Sequence, residues 1–346
     1  MTYLAFFLLA VAFSILINGL FLKFSGTLGS KNNVDPTAVR WSSTTKPALG
    51  GLSFYIVFLA AFGSYAFISD TKIPNSVLGL FTAATIGFLV GLADDAYNTK
   101  PILKFLGQFA CAITLIVSGI YIEVFENIWI NYTLTFVWVV GMMNSINMLD
   151  NMDGITTSVS IGALSLVLFS LIFLDHLDHI YFWISLGVVA SLLGFLYYNW
   201  NPSRIYMGDT GSQFLGVLLA ALGIYFFWNG YEFNDQGIAP KLITPFLAFL
   251  PSIVDTTTVT INRISKGGSP FVGGKDHTTH HLSYAGFSDR QVAIIFLTLA
   301  FVSAIICIYV NFYLEEWNSL TIGLTTGYCL IVFVTLFGLT KKKHKK

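Results

Sequence analysis

The stretch "SVLGLFTAATIGFLVGLADD", residues 76–95, is a long run of apolar and small residues that ends in two adjacent aspartates. Eighteen residues of α-helix rise about 27 Å, close to the ~30 Å hydrocarbon core of a bilayer. A helix satisfies its own backbone hydrogen bonds, which lipid cannot do for it. The stretch therefore predicts a membrane-spanning helix with a pair of carboxylates at its end.

Apolar runs of this kind recur along the whole chain. Its 346 residues are 55% hydrophobic and 10% charged, with a mean hydropathy of +0.72, whereas soluble domains are about 25% charged. We predict an all-α, polytopic integral membrane protein with about eleven transmembrane helices, ten being the alternative count. The predicted spans are residues 2–23, 49–69, 76–93, 103–122, 131–147, 155–174, 180–199, 213–229, 241–262, 291–313 and 320–339.

The basic residues predict the orientation of these spans. With the N-terminus outside and the spans alternating, sixteen of the eighteen lysines and arginines fall inside, and only Lys72 and Lys241 lie outside. Basic residues concentrate in cytoplasmic segments, so we expect a cytoplasmic C-terminus. We predict one transmembrane domain over 1–340 and a basic tail over 341–346, with cytoplasmic loops at 24–48, 94–102, 148–154, 200–212 and 263–290.

The aspartate pair, Asp94 and Asp95, lies at the predicted boundary between membrane and cytoplasm. Adjacent carboxylates repel each other unless a cation or a hydrogen-bond donor intervenes. A divalent metal ion or a metal-bound phosphate nearby would explain the pair. The alternative is that the carboxylates only solvate a helix end.

A second inside stretch, "NSINMLDNMDG" at residues 144–154, spaces Asn144, Asn147, Asp150 and Asp153 by three. On a helix each step of three turns about 300°, so the four side chains would line one wall. Amides and carboxylates among Met, Ile and Leu are costly in a membrane segment unless they face a polar cleft. We therefore expect a cleft here, with a simple polar turn as the alternative.

A third inside stretch, "NPSRIYMGDTGSQFLG" at residues 201–216, places Asp209 between two glycines where a helix is predicted to begin. Helix N-termini with free amides bind anions, and an acidic residue there can hold Mg²⁺ against a phosphate. Arg204 adds a planar donor for phosphate. The stretch indicates a phosphate site.

The longest inside loop contains Asp276, His277, His280 and His281. On a helix the three histidines fall at i, i+3 and i+4, on one face. Imidazole donates to phosphate near neutral pH, which favours contacts with a diphosphate or nucleotide over the alternative of a zinc site. Asp255, about two turns inside the ninth span, either completes the polar cleft or bonds to nearby threonines.

Together these motifs resemble those of the polyprenyl-phosphate N-acetylhexosamine-1-phosphate transferases, which join a sugar-1-phosphate to a lipid phosphate at the cytoplasmic leaflet. The resemblance extends in the family's order from "KPALGG" at 46–51 to "DHTTHHLSYAG" at 276–286. It implies a Mg²⁺-dependent enzyme, with Mn²⁺ as an alternative ion. The implied partners are a UDP-N-acetylhexosamine, a polyprenyl phosphate and the bilayer, with no nucleic acid and with a homodimer as one expected assembly.

The resemblance also implies roles for individual residues. Asp209 would be the Mg²⁺ ligand, and Asp94 and Asp95 would lie beside the lipid phosphate or its metal. Asn147, Asp150 and Asp153 would shape the nucleotide–metal site. We expect Asp94, Asp95, Asp150 and Asp153 to be catalytic, Asp209 and Asp94 to bind metal, and a further set to bind substrate: Lys46, Asn144, Asn147, Arg204, Asp276, His277, His280 and His281.

Two departures from the family pattern narrow the expected donor. Either Arg40 or Lys46 could supply the family's basic residue before the P-x-x-G-G segment, and the histidine motif reads D-H-T-T-H-H rather than a compact histidine run. The resemblance is therefore to the branch that uses simple UDP-N-acetylhexosamines, first UDP-N-acetylglucosamine, and undecaprenyl phosphate. That branch initiates cell-envelope polysaccharides such as O-antigen lipopolysaccharide, capsule or teichoic acid at the bacterial inner membrane.

Three other interpretations were weighed against this one. The first is a UDP-N-acetylmuramoyl-pentapeptide transferase of peptidoglycan synthesis, within the same family. The second is a cation-coupled secondary transporter, which would favour midplane sites and repeated halves. The third is a non-catalytic membrane scaffold, which has no use for paired aspartates.

Overall fold

The computed structural model describes residues 2–24, 46–68, 73–230, 237–270 and 273–342. Over these residues the chain forms thirteen α-helices and one π-helix. The first seven are α1 (Thr2–Phe24), α2 (Gly50–Ile68), α3 (Asn75–Tyr97), α4 (Pro101–Val117), α5 (Ile128–Leu149), α6 (Ile155–Phe173) and α7 (Ile180–Asn199). They are followed by α8 (Gly208–Gly223), the π-helix (Ile224–Trp228), α9 (Ile238–Ala248), α10 (Leu250–Ser265), α11 (Thr278–Tyr284), α12 (Asp289–Phe312) and α13 (Ser319–Lys341).

The helices confirm an all-α, polytopic membrane architecture in the described ranges. Eight helices are long and apolar enough to cross a bilayer, and the bent pair α9–α10 raises the number to nine if it forms one span. Each predicted span coincides with helical segments, α4 and α5 included; the eighth covers α8 and the π-helix, and the ninth covers α9 and α10. The count of eleven, the orientation and the homodimer stay predictions. Residues 25–45, which include Arg40, and 343–346 of the basic tail lie outside the described residues.

The ninth predicted span is broken rather than continuous. Helices α9 and α10 meet at an angle of 83°, with Pro245 inside α9 and Pro251 in the first turn of α10. Proline removes a backbone donor and clashes with the preceding turn, so it ends or bends a helix. A groove lies at this break, between α5 and the two half-helices.

Helix α8 is the central element of the described bundle and is buried along almost its whole length. Two glycines let neighbouring helices approach its first turn closely. A Cβ added at Gly91 on α3 would lie 2.1 Å from the carbonyl oxygen of Asp209, and one added at Gly51 on α2 would lie 2.2 Å from the amide of Gly211. These contacts fix the position of Asp209 relative to the end of α3.

Candidate active site

Lys104 lies at the centre of a polar cluster built from three of the sequence motifs. Its ammonium Nζ donates to Asp94 Oδ2 at 3.0 Å, to Asp209 Oδ2 at 2.9 Å and to Asn147 Oδ1 at 3.3 Å. Helices α3, α4, α5 and α8 each supply one of these side chains. Segments far apart in sequence therefore meet around one cation.

Asn147 links the same cluster to the start of α8. Its amide Nδ2 donates to Asp209 Oδ1 and, at 2.8 Å, to Ser212 Oγ. Asp209 is the only acidic residue in the first turn of α8. The predicted neighbourhood of Asp94, Asn147 and Asp209 is thus present in the structure.

The two adjacent aspartates have different partners. Asp94 accepts from the backbone amide of Thr99 at 2.9 Å and from its hydroxyl at 2.6 Å, in addition to Lys104. Asp95 turns away and accepts from the amide of Asp209 at 3.0 Å, from the amide of Thr210 at 2.8 Å and from the hydroxyl of Thr210 at 2.6 Å. Asp95 therefore caps α8 in place of Met207, whose side chain provides no cap.

A layer of amides lies next to this cluster. Gln108 exchanges hydrogen bonds with Asn144, and its Nε2 also donates to Gln213 Oε1 at 3.0 Å. Gln108 and Gln213 are buried, and they follow Lys104 and Asp209 by one helical turn. Asn144 joins α4 to α5 beside the carboxylates, and its predicted part in substrate binding stays a prediction.

Asp153 lies in a second group, which includes Lys46. It accepts from the amide of Ser203 at 2.9 Å and from its hydroxyl at 2.7 Å. Lys46 Nζ lies 2.9 Å from Ser203 Oγ, 3.7 Å from Asp153 Oδ2 and over the ring of Tyr206. The structure therefore brings the "KPALGG" segment to the acidic motif at Asp153, a contact that the sequence did not predict.

Asp150 differs from the other carboxylates because it makes no hydrogen bond to a side chain in the described part of the chain. It is half-buried, and its desolvation, followed by the negative charges of Asp209, Asp95 and Asp153, raises its pKa to about 8. A carboxyl of this kind is available to a cation, a hydroxyl or an amide of a ligand.

Arg204 does not join the carboxylates. Its guanidinium is exposed and stacks on Tyr197 and Tyr198, at 5.3 and 4.9 Å from the ring centroids. The structure therefore gives it no polar contact with Asp209, although the two residues are five positions apart. Its predicted part in substrate binding stays a prediction.

The histidine segment forms the short helix α11, whose first residues are held by Asp255. The carboxylate accepts from the amide and hydroxyl of Thr278, and its Oδ2 lies 2.8 Å from His277 Nδ1. Thr279 Oγ1 donates to Asn151 Oδ1 at 2.7 Å, which joins α11 to the loop between Asp150 and Asp153. Of the two possibilities left open for Asp255, the structure supports bonding to a threonine, but at position 278.

The other residues of the segment have distinct environments. Burial and the nearby His277 lower the pKa of His280 to about 4, so this ring is neutral at pH 7. His281 is half-buried and packs edge-on against Tyr284 at 5.5 Å. Asp276 pairs with Arg263 through two hydrogen bonds of 2.7 and 2.9 Å, which closes the loop between α10 and α11.

The oxygen atoms around Lys104 also suit a hard divalent cation. Three oxygens, from Asp94, Asp209 and Asn147, converge on the point that the ammonium fills. No three His, Cys, Asp or Glu side chains of the described ranges form a complete metal cage. Mg²⁺ is usually held by one or two carboxylates together with substrate phosphates. Two carboxylates and one amide oxygen agree with this pattern.

An apolar groove of about 290 Å³ lies beside the site, between α5 and the α9–α10 break. Trp138, Met142 and Ser145 form one wall, and Ile253, Thr256 and Thr257 form the other. Val137 and Phe246 on its rim are exposed, so the groove opens sideways toward lipid. Ser145 and Thr256 are joined by a hydrogen bond of 2.9 Å at its polar end.

Lys104 is the central residue of the cluster, and the sequence pattern did not predict it as a site residue. It counted only among the basic residues that predict the orientation of the spans. The available signal was a lysine one turn before Gln108 in an otherwise apolar segment, because polar groups in such a segment face the bundle interior. Ser203 and Thr210 carried no comparable signal, since isolated hydroxyls are common in membrane helices and turns.

Residues 77–227 match the family model described as "Glycosyl transferase family 4". The chain is 31% identical over 321 residues to the probable undecaprenyl-phosphate N-acetylglucosaminyl 1-phosphate transferase of Bacillus subtilis, covering 86% of this chain and 82% of that protein. It is 29% identical over 283 residues to the decaprenyl-phosphate N-acetylglucosaminephosphotransferase of Mycobacterium leprae, covering 73% and 70%. It is 28% identical to the phospho-N-acetylmuramoyl-pentapeptide-transferase of Kosmotoga olearia, covering 74% and 81%.

Proposed function

The chain belongs to glycosyl transferase family 4, and from that premise we propose that it transfers N-acetylglucosamine-1-phosphate from UDP-N-acetylglucosamine to a polyprenyl phosphate. Membership confirms the resemblance seen in the sequence. The products are polyprenyl-diphosphate-N-acetylglucosamine and UMP. Undecaprenyl phosphate is the proposed acceptor, as in the name of the Bacillus subtilis relative.

The observation that carries this proposal is the position of Lys104 between Asp94 and Asp209. An ammonium and two carboxylates at the end of membrane helices form a site for phosphates and their counter-ions. The apolar groove beside this site would hold the prenyl chain. Charged groups that suit a diphosphate thus lie next to an apolar groove that suits a lipid chain.

In the proposed reaction, an oxygen of the lipid phosphate attacks the β-phosphorus of the UDP-sugar. The bond between the β-phosphorus and the bridging oxygen breaks, and that oxygen leaves with UMP. The bond between the sugar and the phosphate stays intact. A phosphate monoester is largely dianionic near pH 7, so the attacking oxygen needs little help from a base.

Positioning and charge neutralisation do most of the work in such a transfer. Lys104 would neutralise the phosphates, and Asp95 would hold the first turn of α8 so that Asp209 keeps its place. Asp94 would orient Lys104, while Asp150 and Asp153 would receive polar groups of the donor. Direct attack leaves no role for a covalent aspartyl phosphate.

Asp209, Asp94 and the Asn147 carbonyl are the groups that would hold Mg²⁺, or Mn²⁺ in its place. The bound ion would neutralise the diphosphate of the donor as charge moves toward UMP. The convergence of their oxygens on Lys104 Nζ supports this choice of ligands.

The distribution of basic residues supports a plasma-membrane location with the active site facing the cytoplasm. Asp94, Asn147 and Asp209 lie together at one end of the bundle, as that arrangement requires. The product would start a cell-envelope polysaccharide such as a teichoic acid, a capsule or O-antigen lipopolysaccharide. Two chains would form a homodimer.

A UDP-N-acetylmuramoyl-pentapeptide is the second candidate donor, favoured by the relatives of Kosmotoga olearia and Staphylococcus carnosus. The relatives named for N-acetylglucosamine match this chain at 28 to 31% identity, which is close to the 28% of the pentapeptide transferases. The histidine motif supports the simple donor, because it reads D-H-T-T-H-H rather than a compact histidine run.

A donor screen tests the proposal. Purified protein, undecaprenyl phosphate and Mg²⁺ are mixed with a panel of UDP-sugars, and UMP release and the lipid product are measured. We expect turnover with UDP-N-acetylglucosamine that requires the lipid. Turnover only with the pentapeptide donor would favour the second candidate, and no turnover with any UDP-sugar would contradict both.

A further inference from the structure

Asp255 is a fully buried carboxylate on α10 whose two oxygens are both used by one neighbouring segment. Oδ1 accepts from the amide of Thr278 at 2.8 Å and from its hydroxyl at 2.6 Å. Oδ2 lies 2.8 Å from Nδ1 of His277. A carboxylate buried in a membrane helix is costly, and it is retained only where hydrogen bonds and an opposite charge compensate.

The geometry around His277 is unusual for the start of a helix. Ser, Thr, Asp and Asn are the residues that cap helices with their own side chains, and here the capping position is His277, which gives α11 no side-chain cap. The acceptor comes instead from Asp255, 22 positions earlier. The cap and the imidazole are therefore fixed by the same carboxylate.

A carboxylate at Nδ1 determines how an imidazole is presented. It fixes the ring orientation and the tautomer, so that Nε2 is the ring atom left for another partner. Burial, together with the nearby His277, holds the His280 ring neutral. His277 is the histidine of this segment whose ring Nδ1 lies 2.8 Å from the carboxylate of Asp255.

The segment is tied to the candidate active site by a separate contact. Thr279 Oγ1 donates to Asn151 Oδ1, and Asn151 directly follows Asp150 of the candidate active site. The carboxyl of Asp255 and the acidic loop thus both hold the first residues of α11, at Thr278 and Thr279. His277 directly precedes these two attachments.

We propose that Asp255 is a positioning residue for the transfer reaction, which anchors Nδ1 of His277 and turns Nε2 toward the donor nucleotide. This rests on the proposed function for the identity of the donor. Asp255 touches no substrate itself and acts only through His277 and the first residues of α11.

Paired variants test this. Asp255→Asn keeps the size and an oxygen for Thr278, but its amide cannot accept from Nδ1–H. We expect the kcat/KM for UDP-N-acetylglucosamine to fall about tenfold to a hundredfold, mostly through the donor KM. The KM for the lipid should stay within about twofold, because Asp255 does not contact the acceptor groove. Thr278→Val is the matched control, since it weakens the same cap and leaves the His277 pair intact.

The decisive comparison uses a His277→Gln background. If Asp255 acts through His277, adding Asp255→Asn to His277→Gln changes the donor KM no further, while the thermal unfolding temperature falls as it does in the wild type. An equal additional loss of kcat/KM in both backgrounds would overturn the proposal. So would an Asp255→Asn protein with a lowered unfolding temperature and a normal donor KM.

Two further measurements keep the outcome clear. If Asp255→Asn does not fold, Asp255→Glu is used, because it keeps the negative charge and displaces the carboxylate oxygens. Asp255→Glu should raise the donor KM only when His277 is present. Binding of UDP alone, measured by calorimetry, tests the same coupling without turnover. A wild type that binds UDP but turns over no UDP-sugar would contradict the proposed function and still decide the role of Asp255.

Discussion

Asp95 accepts hydrogen bonds from the amide and the hydroxyl of Thr210 at 2.8 and 2.6 Å, although the two residues are 115 positions apart. The end of α3 thereby caps the start of α8. Asp94, its neighbour, faces Lys104 instead. One residue of the pair therefore orders the backbone that carries Asp209, and the other lies in the charge cluster.

The first prediction separates these two roles. Asp95→Ala should lower the free energy of unfolding by about 1 to 2 kcal/mol, the usual cost of a lost helix cap. Asp94→Asn should lower activity with a smaller effect on stability, because Thr99 keeps an oxygen to donate to. Thermal unfolding in detergent and UMP release are measured for both. Equal losses of stability in the two variants would contradict the assignment.

The second prediction concerns Asp209. Asp209→Asn removes the charge that pairs with Lys104 and keeps the shape, so we expect kcat to fall by at least about a hundredfold while the protein stays folded. Glu316→Gln, an exposed acid near the start of α13, is the control and should keep full activity. Normal turnover in Asp209→Asn would exclude this residue from the site.

The third prediction concerns Lys104, which fills the point where three oxygens converge. Lys104→Met should reduce the maximal rate, because the phosphates lose a positive charge. It should also lower the Mg²⁺ concentration needed for half-maximal activity, since Asp94 and Asp209 then repel each other without an ammonium between them. A Mg²⁺ titration of UMP release measures both effects. Lys100→Met, at an exposed lysine just before α4, should change neither.

The fourth prediction tests the close contact of α3 with α8. Gly91→Ala would place a Cβ 2.1 Å from the backbone oxygen of Asp209, so the helices must separate. We expect lower stability and a loss of activity, since Asp94 and Asp209 move apart. Gly63→Ala on α2 is the control, because nothing lies within 4 Å of the added atom. Two equally active variants would show that the contact is unimportant.

The fifth prediction is a pH dependence of stability from His280. Its pKa is about 4 in the folded protein, below the ordinary value of 6.5, because burial and His277 outweigh the opposing charges of Asp255 and Asp276. The unfolded chain therefore binds the proton first, so stability is full above about pH 6.5 and falls as the pH drops toward 4. The loss should be of the order of 1 to 2 kcal/mol at pH 5.

His280→Gln should remove this part of the pH dependence, as measured by unfolding temperatures between pH 4.5 and 7.5. The exposed His176 provides the control, and His176→Gln should leave the curve unchanged. An identical curve for His280→Gln and the wild type would mean that another group causes the acid sensitivity.

Much of the architecture could be predicted from the sequence because lipid imposes long apolar helices. The same reasoning could not find the break between α9 and α10, since the apolar run is continuous through residue 250 and only Pro245 and Pro251 hint at a bend. The short helix α11 was also missed, because seven residues are too few for a periodic pattern to stand out.

The site was predictable where residue type alone carries the signal. Asp94, Asn147 and Asp209 stand out as polar groups in apolar surroundings, and the structure brings them together. Which aspartate caps a helix could not be read from the sequence, because adjacent positions point about 100° apart and the direction depends on packing. Arg204 was expected at the same site, and its stacking on Tyr197 and Tyr198 depends on a local fold that no spacing specifies.

The bend of 83° between α9 and α10 has a kinetic consequence. Because the groove opens sideways, an acceptor would enter by diffusing within the leaflet, and the product would leave by the same route without crossing water. The rate would then follow the mole fraction of the acceptor in the membrane rather than its amount per volume. Diluting the acceptor with inert phospholipid at constant total acceptor should slow turnover, as expected for an enzyme that works in two dimensions.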